Sequence, residues 1–278
     1  MPVSVAQDTA GPMTSCVADA VLLLAALAGA DPADPATRRA PGSAAFLDPG
    51  ALAGARLGVW RDGSKAATMA TTAVLDAAVA RLRSLGAEVA DPVELPGADE
   101  INEPEMTALL LEFKRDLNAY LAGLAGEHPV SLTELIAFNS CNGDRVLAHF
   151  GQELFEQAEA TSGDPADPAW ATARKTAHRL ARDGLDSALA GHRLDAVVAL
   201  AGSPAWLTDH VLGDHYVFGT SSPAAVAGYP SISVPADLVS GLPVGLSFTG
   251  PAWSEARLLG LAYAFEQPGQ RSGTQGPG

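Results

Sequence analysis

The sequence predicts an α/β fold, and three patterns carry that prediction. A β-α-β unit occupies residues 56–89, a mainly helical region follows over residues 101–190, and two short strands joined by a turn lie near the end of the chain. Apolar residues make up 47% of the 278 residues, which is enough for a sizeable core in one large domain or two small ones.

The β-α-β unit is indicated by a change of apolar spacing along the chain. The run RLGVW at residues 56–60 is typical of a short strand, and apolar side chains recur at helical spacing over residues 68–85. Gly86 ends that helix, and residues 87–89 begin a second strand. Units of this kind usually form parallel sheets with right-handed crossovers, so we expect these two strands to be parallel.

An apolar helix is expected before this unit, over residues 16–28. Thr14 or Ser15 can cap its start, and Gly29 can close it. The helix is apolar almost all round, which predicts that it packs on several sides. It carries Asp19 and is too short to span a bilayer, so we expect a buried helix and no membrane anchor.

Three helices are expected in the helical region, and the sheet pattern returns after it. Ser131 and Glu134 form a capping box that opens the first helix, which continues through Ile136. The other two helices cover residues 150–160 and 169–189. Then follow a buried strand, a long irregular segment, two short strands and a last helix, at residues 194–200, 201–222, 231–234, 244–248 and 254–265. An irregular segment of that length usually carries function.

Net charge and cysteine content exclude several classes of function. The chain has 32 Asp and Glu against 17 Lys and Arg, and the resulting net charge of −15 repels phosphate backbones, so no nucleic-acid partner is expected. Cys16 and Cys141 lie far apart and in no metal-binding motif, which predicts two small packed side chains and no disulfide. Together with the lack of a basic signal-peptide segment, this predicts a cytoplasmic protein.

Three stretches, in this order, resemble the amidase-signature family. They are QDTAGPMTSCVADA at residues 7–20, FN at 138–139 with FGQELFEQA at 150–158, and TSSPAAVAGYPSISVPADLVSGLPVGLSFTG at 220–250. The third is the most specific, because two of its runs look like the strand-turn-strand near the family's carboxy-terminal end. The resemblance implies a partial amidase-signature fold over residues 1–266, with a mixed β-sheet core wrapped by helices. A low-complexity, disordered tail is expected at residues 267–278.

The family hydrolyses amide C–N bonds with a Lys, a Ser held in a cis peptide and a nucleophilic Ser. Both serines lie in glycine-rich runs, because backbone N–H groups must approach the developing oxyanion. This sequence contains no Gly-Gly-Ser-Ser-Gly-Gly run, and Lys65, Lys114 and Lys175 have no serine pair beside them. The resemblance therefore implies a truncated amidase portion that is inactive alone and that needs no metal or organic cofactor. The excess of Ala, Asp and Arg, with only three lysines, separately indicates a bacterial source.

Two functions stay open on these grounds. The first is the carboxy-terminal part of an amidase, whose parent family acts on a small amide substrate. The second is a non-catalytic binding or assembly module that complements a separate chain bearing the triad. Missing central strands would leave an open sheet edge and apolar surface on the first helix, so self-association is also expected.

The resemblance places three residues at the substrate pocket: Asp8, Phe138 and Asn139. Asp8 matches an acidic position in the family's motif near the active centre, although it can equally close an Asx turn. Phe138 and Asn139 match a region that tends to line the substrate funnel, and packing at the end of a helix is the alternative. Ser15 is a departure, because the family usually has Arg at that position.

Three other serines are weaker candidates for a nucleophile. Ser221 and Ser222 are followed by Pro223 and no glycine, which favours a helix start with Ser222 as its cap. Ser247 lacks the glycine and the following helix of a nucleophile elbow, so it is interpreted as a strand residue.

Two histidines in the irregular segment invite a metal or triad interpretation. His210 and His215 lack the spacing of ligands on one helix turn, and no third ligand is indicated. A triad of Ser203, His210 and Asp209 can be drawn, but an adjacent Asp and His rarely serve each other. We expect polar residues of the surface or of a pocket rim.

Overall fold

The structure, a computed structural model, describes residues 1–34, 37 and 47–267. These residues form two compact units. The first unit contains residues 1–10, 97–180 and 210–212, and the second contains the other described residues. All but the first residue of the tail expected at 267–278 lies outside the described residues. Across the described ranges, every helix is too short or too polar to pass through a lipid bilayer.

A mixed β-sheet forms the centre of the second unit and confirms the predicted fold class. Its strands in the described part of the chain are β1 Arg56–Val59, β2 Glu88–Ala90, β3 Ala196–Leu200, β4 Ser231–Val239 and β5 Leu242–Thr249. They lie in the order β2-β1-β3-β5-β4. β1 is parallel to β2, as the β-α-β pattern predicted, and it is also parallel to β3, whereas β5 is antiparallel to β3 and β4.

The helices in the described part of the chain are α1 Val17–Leu27, α2 Met69–Ser84, α3 Asn102–Ala122, α4 Leu132–Cys141, α5 Gly143–Val146, α6 Glu153–Glu159, α7 Pro168–His192, α8 Ser222–Ala227 and α9 Glu255–Glu266. The expected helices are present with ends that differ by a few residues, whereas α3 and α5 were not among the three helices expected in the helical region. The helix expected to run through Ile136 continues to Cys141. Helix α7 contributes to both units, with the division after Leu180.

β4 and β5 are longer than the short apolar runs that predicted them. Their hairpin extends to the pairing of Val239 with Leu242 and turns at Ser240 and Gly241, whose φ angles are 53° and 81°. Most of the residues near the turn are exposed or half-buried. Ala236 and Val239 of that part pack against the core, but apolar and polar residues do not alternate regularly there. Sequence periodicity therefore does not reveal it, although backbone hydrogen bonds continue the ladder.

The core of the second unit lies between one face of the sheet and helices α2 and α9. Val198 and Leu246 are buried on that face with Phe248. The ring of Phe248 packs edge-on against Phe265 of α9, with centroids 6.0 Å apart. The guanidinium of Arg81 on α2 lies 4.5 Å above the Phe265 ring, and burial lowers the pKa of Arg81. These aromatic contacts join the two helices to the sheet.

Helix α1 is not packed on several sides, so that prediction is wrong. Val17 is buried in the core, and Val21 and Leu24 pack against it, but Leu22 and Leu27 are 71% and 55% exposed. The expected caps also differ: Cys16 occupies the N-cap position without a side-chain cap, and Ala28 is the C-cap. The carboxylate of Glu266 in α9 accepts from the Val17 N–H instead, at 3.0 and 3.2 Å.

Side chains satisfy helix ends in the first unit, whose small core lies between α3, α4 and α6. The Ser131 hydroxyl accepts from the Glu134 N–H at 3.2 Å, which confirms the forward half of the capping box. The Glu134 carboxylate accepts from the Val130 N–H at 2.9 Å, one residue before the partner that a reciprocal box would use. Lys114 donates to the Glu159 carbonyl at the end of α6, at 2.7 Å.

An ion pair joins the segments that follow β1 and β2. Arg61 donates to both carboxylate oxygens of Asp91, with N–O distances of 2.5 and 2.8 Å. Arg61 also contacts Asp76 of α2 at 2.9 Å. The hydrogen bond from Arg61 holds the pKa of Asp91 below its ordinary value, in spite of the opposing effect of burial. The pair therefore links the sheet edge to α2 and favours the charged carboxylate.

Replacing Asp91 by Asn should lower the free energy of unfolding near neutral pH by about 2 kcal/mol, because two charge-assisted hydrogen bonds lose their charged acceptor. The folded pKa is depressed, so this contribution is complete above the unfolded pKa, near 3.8, and disappears as pH falls through the folded value. Urea unfolding from about pH 7 down to about pH 2 should show the two proteins converging. Asp62→Asn, in an exposed pair with Lys65, should give only a small difference. A constant gap for Asp91→Asn across this range would contradict the prediction.

Candidate functional site

A network of buried charges holds the first residues of the chain in the first unit. The Ser4 side chain is fully buried, and its hydroxyl donates to Glu112 Oε2 at 2.6 Å. The backbone N–H of Val5 donates to Asp116 Oδ2 at 2.7 Å. Both acids lie on α3, one helical turn apart. Residues 4 and 5 are therefore fixed to one face of α3 by charged acceptors.

Glu112 is the centre of this network and is 0% exposed. Arg174 on α7 donates to both of its carboxylate oxygens, with Nε 2.9 Å from Oε1 and Nη2 bonded to Oε2. The indole N–H of Trp170 donates to Oε1 at 2.8 Å. A buried carboxylate is tolerated only when charge and hydrogen bonds compensate for its lost hydration, and here it accepts four hydrogen bonds.

Gln7 extends the network towards the motif that the resemblance singled out. Its amide oxygen accepts from Arg174 Nη1 at 2.6 Å, and its Nε2 donates to Glu105 Oε1 at 2.7 Å. The hydrogen bond from Arg115 to Asp116 raises the pKa of Arg115. Sequence reasoning missed Glu112, although one signal existed: it is an acid inside the apolar run ALLLEF.

Asp8 belongs to the same terminal segment but points its carboxylate back onto the backbone. Its Oδ2 accepts from the N–H groups of Val3 and Ser4, at 2.8 and 3.2 Å. The Asp8 N–H in turn donates to the Ser4 carbonyl at 2.8 Å. This arrangement closes a local turn over residues 3–8, but it is not the Asx turn considered from the sequence, in which the carboxylate would accept from an N–H two residues further along. A role for Asp8 in a substrate pocket stays a prediction.

Phe138 and Asn139 lie near the end of α4. Phe138 is 49% exposed, and its carbonyl accepts from the backbone N–H of Asn142 at 3.1 Å. The Asn139 side chain donates to Gln152 Oε1 at 3.2 Å, which ties α4 to the start of α6. The partners of Asp8 are residues 3 and 4, so the hydrogen bonds of the described residues do not bring Asp8 to this helix end. The assignment of Phe138 and Asn139 to a substrate funnel also stays a prediction.

The serines considered as nucleophiles from the sequence, Ser221, Ser222 and Ser247, occupy positions with structural roles. Ser221, not Ser222, is the N-cap of α8, and its side chain makes no cap hydrogen bond, so the expected capping by Ser222 is wrong. The helix starts one residue earlier, and Pro223 still lies in its first turn, where no N–H partner is needed. Ser247 lies within β5 as expected, and its hydroxyl donates to the Ala199 carbonyl at 3.1 Å.

The triad drawn from Ser203, His210 and Asp209 is not assembled. The Ser203 hydroxyl is buried without a hydrogen-bond partner among the described residues. Asp209 Oδ2 lies 3.2 Å from Nε2 of His215, and His210 stacks on His149 with ring centroids 3.8 Å apart. A search of residues 1–34, 37 and 47–267 finds no group of three metal-ligating side chains.

The two cysteines, Lys65 and Lys114 also lack a catalytic setting. Cys141 is exposed, so the expectation that both cysteines are packed is wrong for this one; Cys16 is half-buried, and neither forms a disulfide. Lys65 lies in an exposed turn 3.9 Å from Asp62, as expected of a solvated lysine. Lys114 Nζ contacts the Glu159 carboxylate at 3.4 Å and so balances an acid.

A small pocket lies in the second unit on the sheet face opposite the main core. Its walls include Trp60 and three hydroxyl residues, Thr220, Ser247 and Thr249. The Thr220 hydroxyl donates to the Leu200 carbonyl at 2.7 Å, and that of Thr249 to Ser231 Oγ at 3.1 Å. These hydroxyls are committed to structural hydrogen bonds, and the described residues that line the pocket include no Lys or His to act as a base.

Comparison with known proteins gives consistent matches over nearly the whole chain. The family model named Amidase matches residues 1–259. A probable amidase of Arabidopsis thaliana is 36% identical over 279 residues. One subunit of the glutamyl-tRNA(Gln) amidotransferase from Pseudomonas savastanoi is 30% identical over 275 residues. The crystal structure of the peptide amidase from Stenotrophomonas maltophilia superposes with a TM-score of 0.86 at 44% identity.

The chain spans about half the length of the relatives it matches. The alignments cover 96%, 94% and 97% of this chain but only 49%, 55% and 55% of the Arabidopsis, Pseudomonas and Stenotrophomonas proteins, respectively. The two units of this chain thus correspond to one part of a longer architecture in those proteins.

Replacing Arg174 by Met should destabilise the first unit by about 3–5 kcal/mol, because the buried Glu112 carboxylate loses its charged partner. It should also release the terminal segment, which limited proteolysis would detect as faster cleavage within residues 1–10. The double variant Glu112→Gln with Arg174→Met buries no net charge and should regain part of the loss. Urea unfolding measures each variant, and a single variant as stable as the double would contradict this account.

Proposed function

Because this chain belongs to the amidase family, we propose that it is the carboxy-terminal part of an amidase that hydrolyses the C–N bond of a small amide. The family match over residues 1–259, combined with coverage of about half of each relative, carries this proposal. We treat residues 1–266 as one amidase portion and place the protein in the cytoplasm as parts of the same proposal.

The proposal assigns the reacting groups to residues outside these 278. Amide hydrolysis by this family's route needs an activated serine, a lysine base and backbone donors for the oxyanion. The sequence has no Gly-Gly-Ser-Ser-Gly-Gly run. Within the ranges that the structure covers, Ser247 and Thr220 are bonded to backbone carbonyls, and Lys114 is bonded to Glu159. The chain alone is therefore proposed to be inactive.

This part of the fold would contribute support and substrate contacts. The network around Glu112 fixes residues 4 and 5, immediately before the segment that resembles the family's motif. Asp8, Phe138 and Asn139 are proposed to line the substrate pocket once the amidase is complete. One relative at 44% identity is a peptide amidase, so a peptide carboxamide is the first substrate to test.

A second candidate function is a non-catalytic module that complements a separate chain carrying the reacting groups. The exposed leucines of α1 support it, because such a face is suited to a protein partner. The Pseudomonas relative is named as one subunit of its enzyme, which makes assembly from separate chains a reasonable form for this family.

The test is to compare the chain alone with a fusion that precedes it with the part of the Stenotrophomonas peptide amidase that it does not match. The fusion should release ammonia from a peptide amide at least about 10³-fold faster than the chain alone, since only the fusion contains the nucleophile. Replacing the nucleophilic serine of the added part by Ala should abolish the difference. Steady turnover by the 278-residue chain itself would overturn the proposal.

A further inference from the structure

We infer that the exposed leucine face of α1, formed by Leu22, Leu23 and Leu27, is the docking surface for the part of the amidase fold that this sequence does not contain. This inference rests on the proposed function and deepens it by naming the surface and its occupant. The occupant is the remaining portion of an amidase, supplied either in one continuous chain or as a separate one.

The geometry of α1 gives it two apolar faces. Val17, Val21 and Leu24 turn towards the core of the second unit. Leu23 and Leu27 lie one turn apart on another side of the helix, and Leu22 lies about 100° from Leu23 around the helix axis. Leu22, Leu23 and Leu27 are 71%, 40% and 55% exposed, so together they form a broad exposed face. Helices with apolar residues on all sides are normally buried on all sides. Among the described residues, the second face of α1 therefore lacks the cover that its composition requires.

The charge of the helix argues against a membrane surface as that cover. α1 carries one acid, Asp19, and no basic residue, and the whole chain has a net charge of −15. Helices that lie on membranes are typically rich in Lys and Arg on their polar face, because cellular surfaces are anionic. An apolar protein surface is the complementary partner.

The relatives indicate which protein surface this is. The Stenotrophomonas enzyme keeps the fold of this chain at a TM-score of 0.86 and adds nearly as much chain again. Added chain must bury its own apolar residues against existing elements. One side of α1 already packs in the core of the second unit. Added chain that packs against its exposed side would extend this core by another layer. Burial there gains free energy in proportion to the apolar area removed from water.

The experiment compares one double variant, Leu22→Asp with Leu27→Asp, in the 278-residue chain and in the fusion with the Stenotrophomonas part. In the chain alone both positions face water, so the melting temperature should change by less than about 2 °C. In the fusion the two charges would be buried without partners, and the melting temperature should fall by at least about 5 °C. Leu154→Asp, at a leucine of α6 that is 57% exposed, serves as the matched control and should be tolerated in both.

The outcomes separate this inference from the proposed function. If the fusion is active and the double variant changes neither its melting temperature nor its turnover, the docking surface is overturned. The amidase assignment is then unaffected. If the fusion folds but is inactive, the amidase assignment is overturned. The melting temperatures of the fusion and its double variant still test the docking surface.

A second measurement covers a fusion that does not fold. The two parts are co-expressed as separate tagged chains, and capture of one by the other should fall at least about tenfold with the double variant. Absence of capture for the unaltered pair overturns the inference. So does light scattering that shows a dimer of the 278-residue chain dissociated by the double variant, because the occupant is then a second copy.

Discussion

The second unit depends on the complete burial of β3. All five residues of this strand are buried, and it is hydrogen-bonded to β1 on one side and β5 on the other. It is the point where the sheet changes from parallel to antiparallel, so both the β-α-β unit and the β4-β5 hairpin take their position from it. Gly58 on the neighbouring strand shows how tightly this region is packed, since a Cβ there would meet Leu194 Cδ1 at 2.5 Å. Substitutions that change side-chain volume here would disturb packing in both the parallel and the antiparallel part of the sheet.

The acidic composition has a structural counterpart in the way that individual acids are compensated. Glu112 and Asp116 are buried beside Arg174 and Arg115, and Asp91 lies beside Arg61. With 17 basic residues against 32 acids, cations are scarce, and several of them are used at buried or half-buried carboxylates. Most remaining acids can stay hydrated at the surface, where their mutual repulsion is screened by salt. The excess of acids thus favours a hydrated surface, while the buried acids are paired with specific arginines.

Sequence reasoning succeeded where the deciding information is local. β1, α2, β3 and α9 have apolar spacings that are complete within a few turns or strand residues, and the structure has them at the expected places. It failed for α1, because an apolar composition says that side chains avoid water but not which residues are available to cover them. It missed Glu112, whose partners Ser4 and Arg174 lie 108 and 62 residues away in the chain. The pocket residues Asp8, Phe138 and Asn139 came from family resemblance, since a pocket assembled from distant segments leaves no local pattern.

The carboxylate of Glu266 at the end of α9 receives the first N–H of α1, although 249 residues separate them. This one side chain therefore joins segments near the two ends of the described chain. The start of α1 is capped by a residue in the last turn of α9. Shortened forms of the protein that stop before residue 266 would lose the hydrogen bond between Glu266 and the Val17 N–H. Fraying would then begin at α1, on the far side of the sequence from the cut.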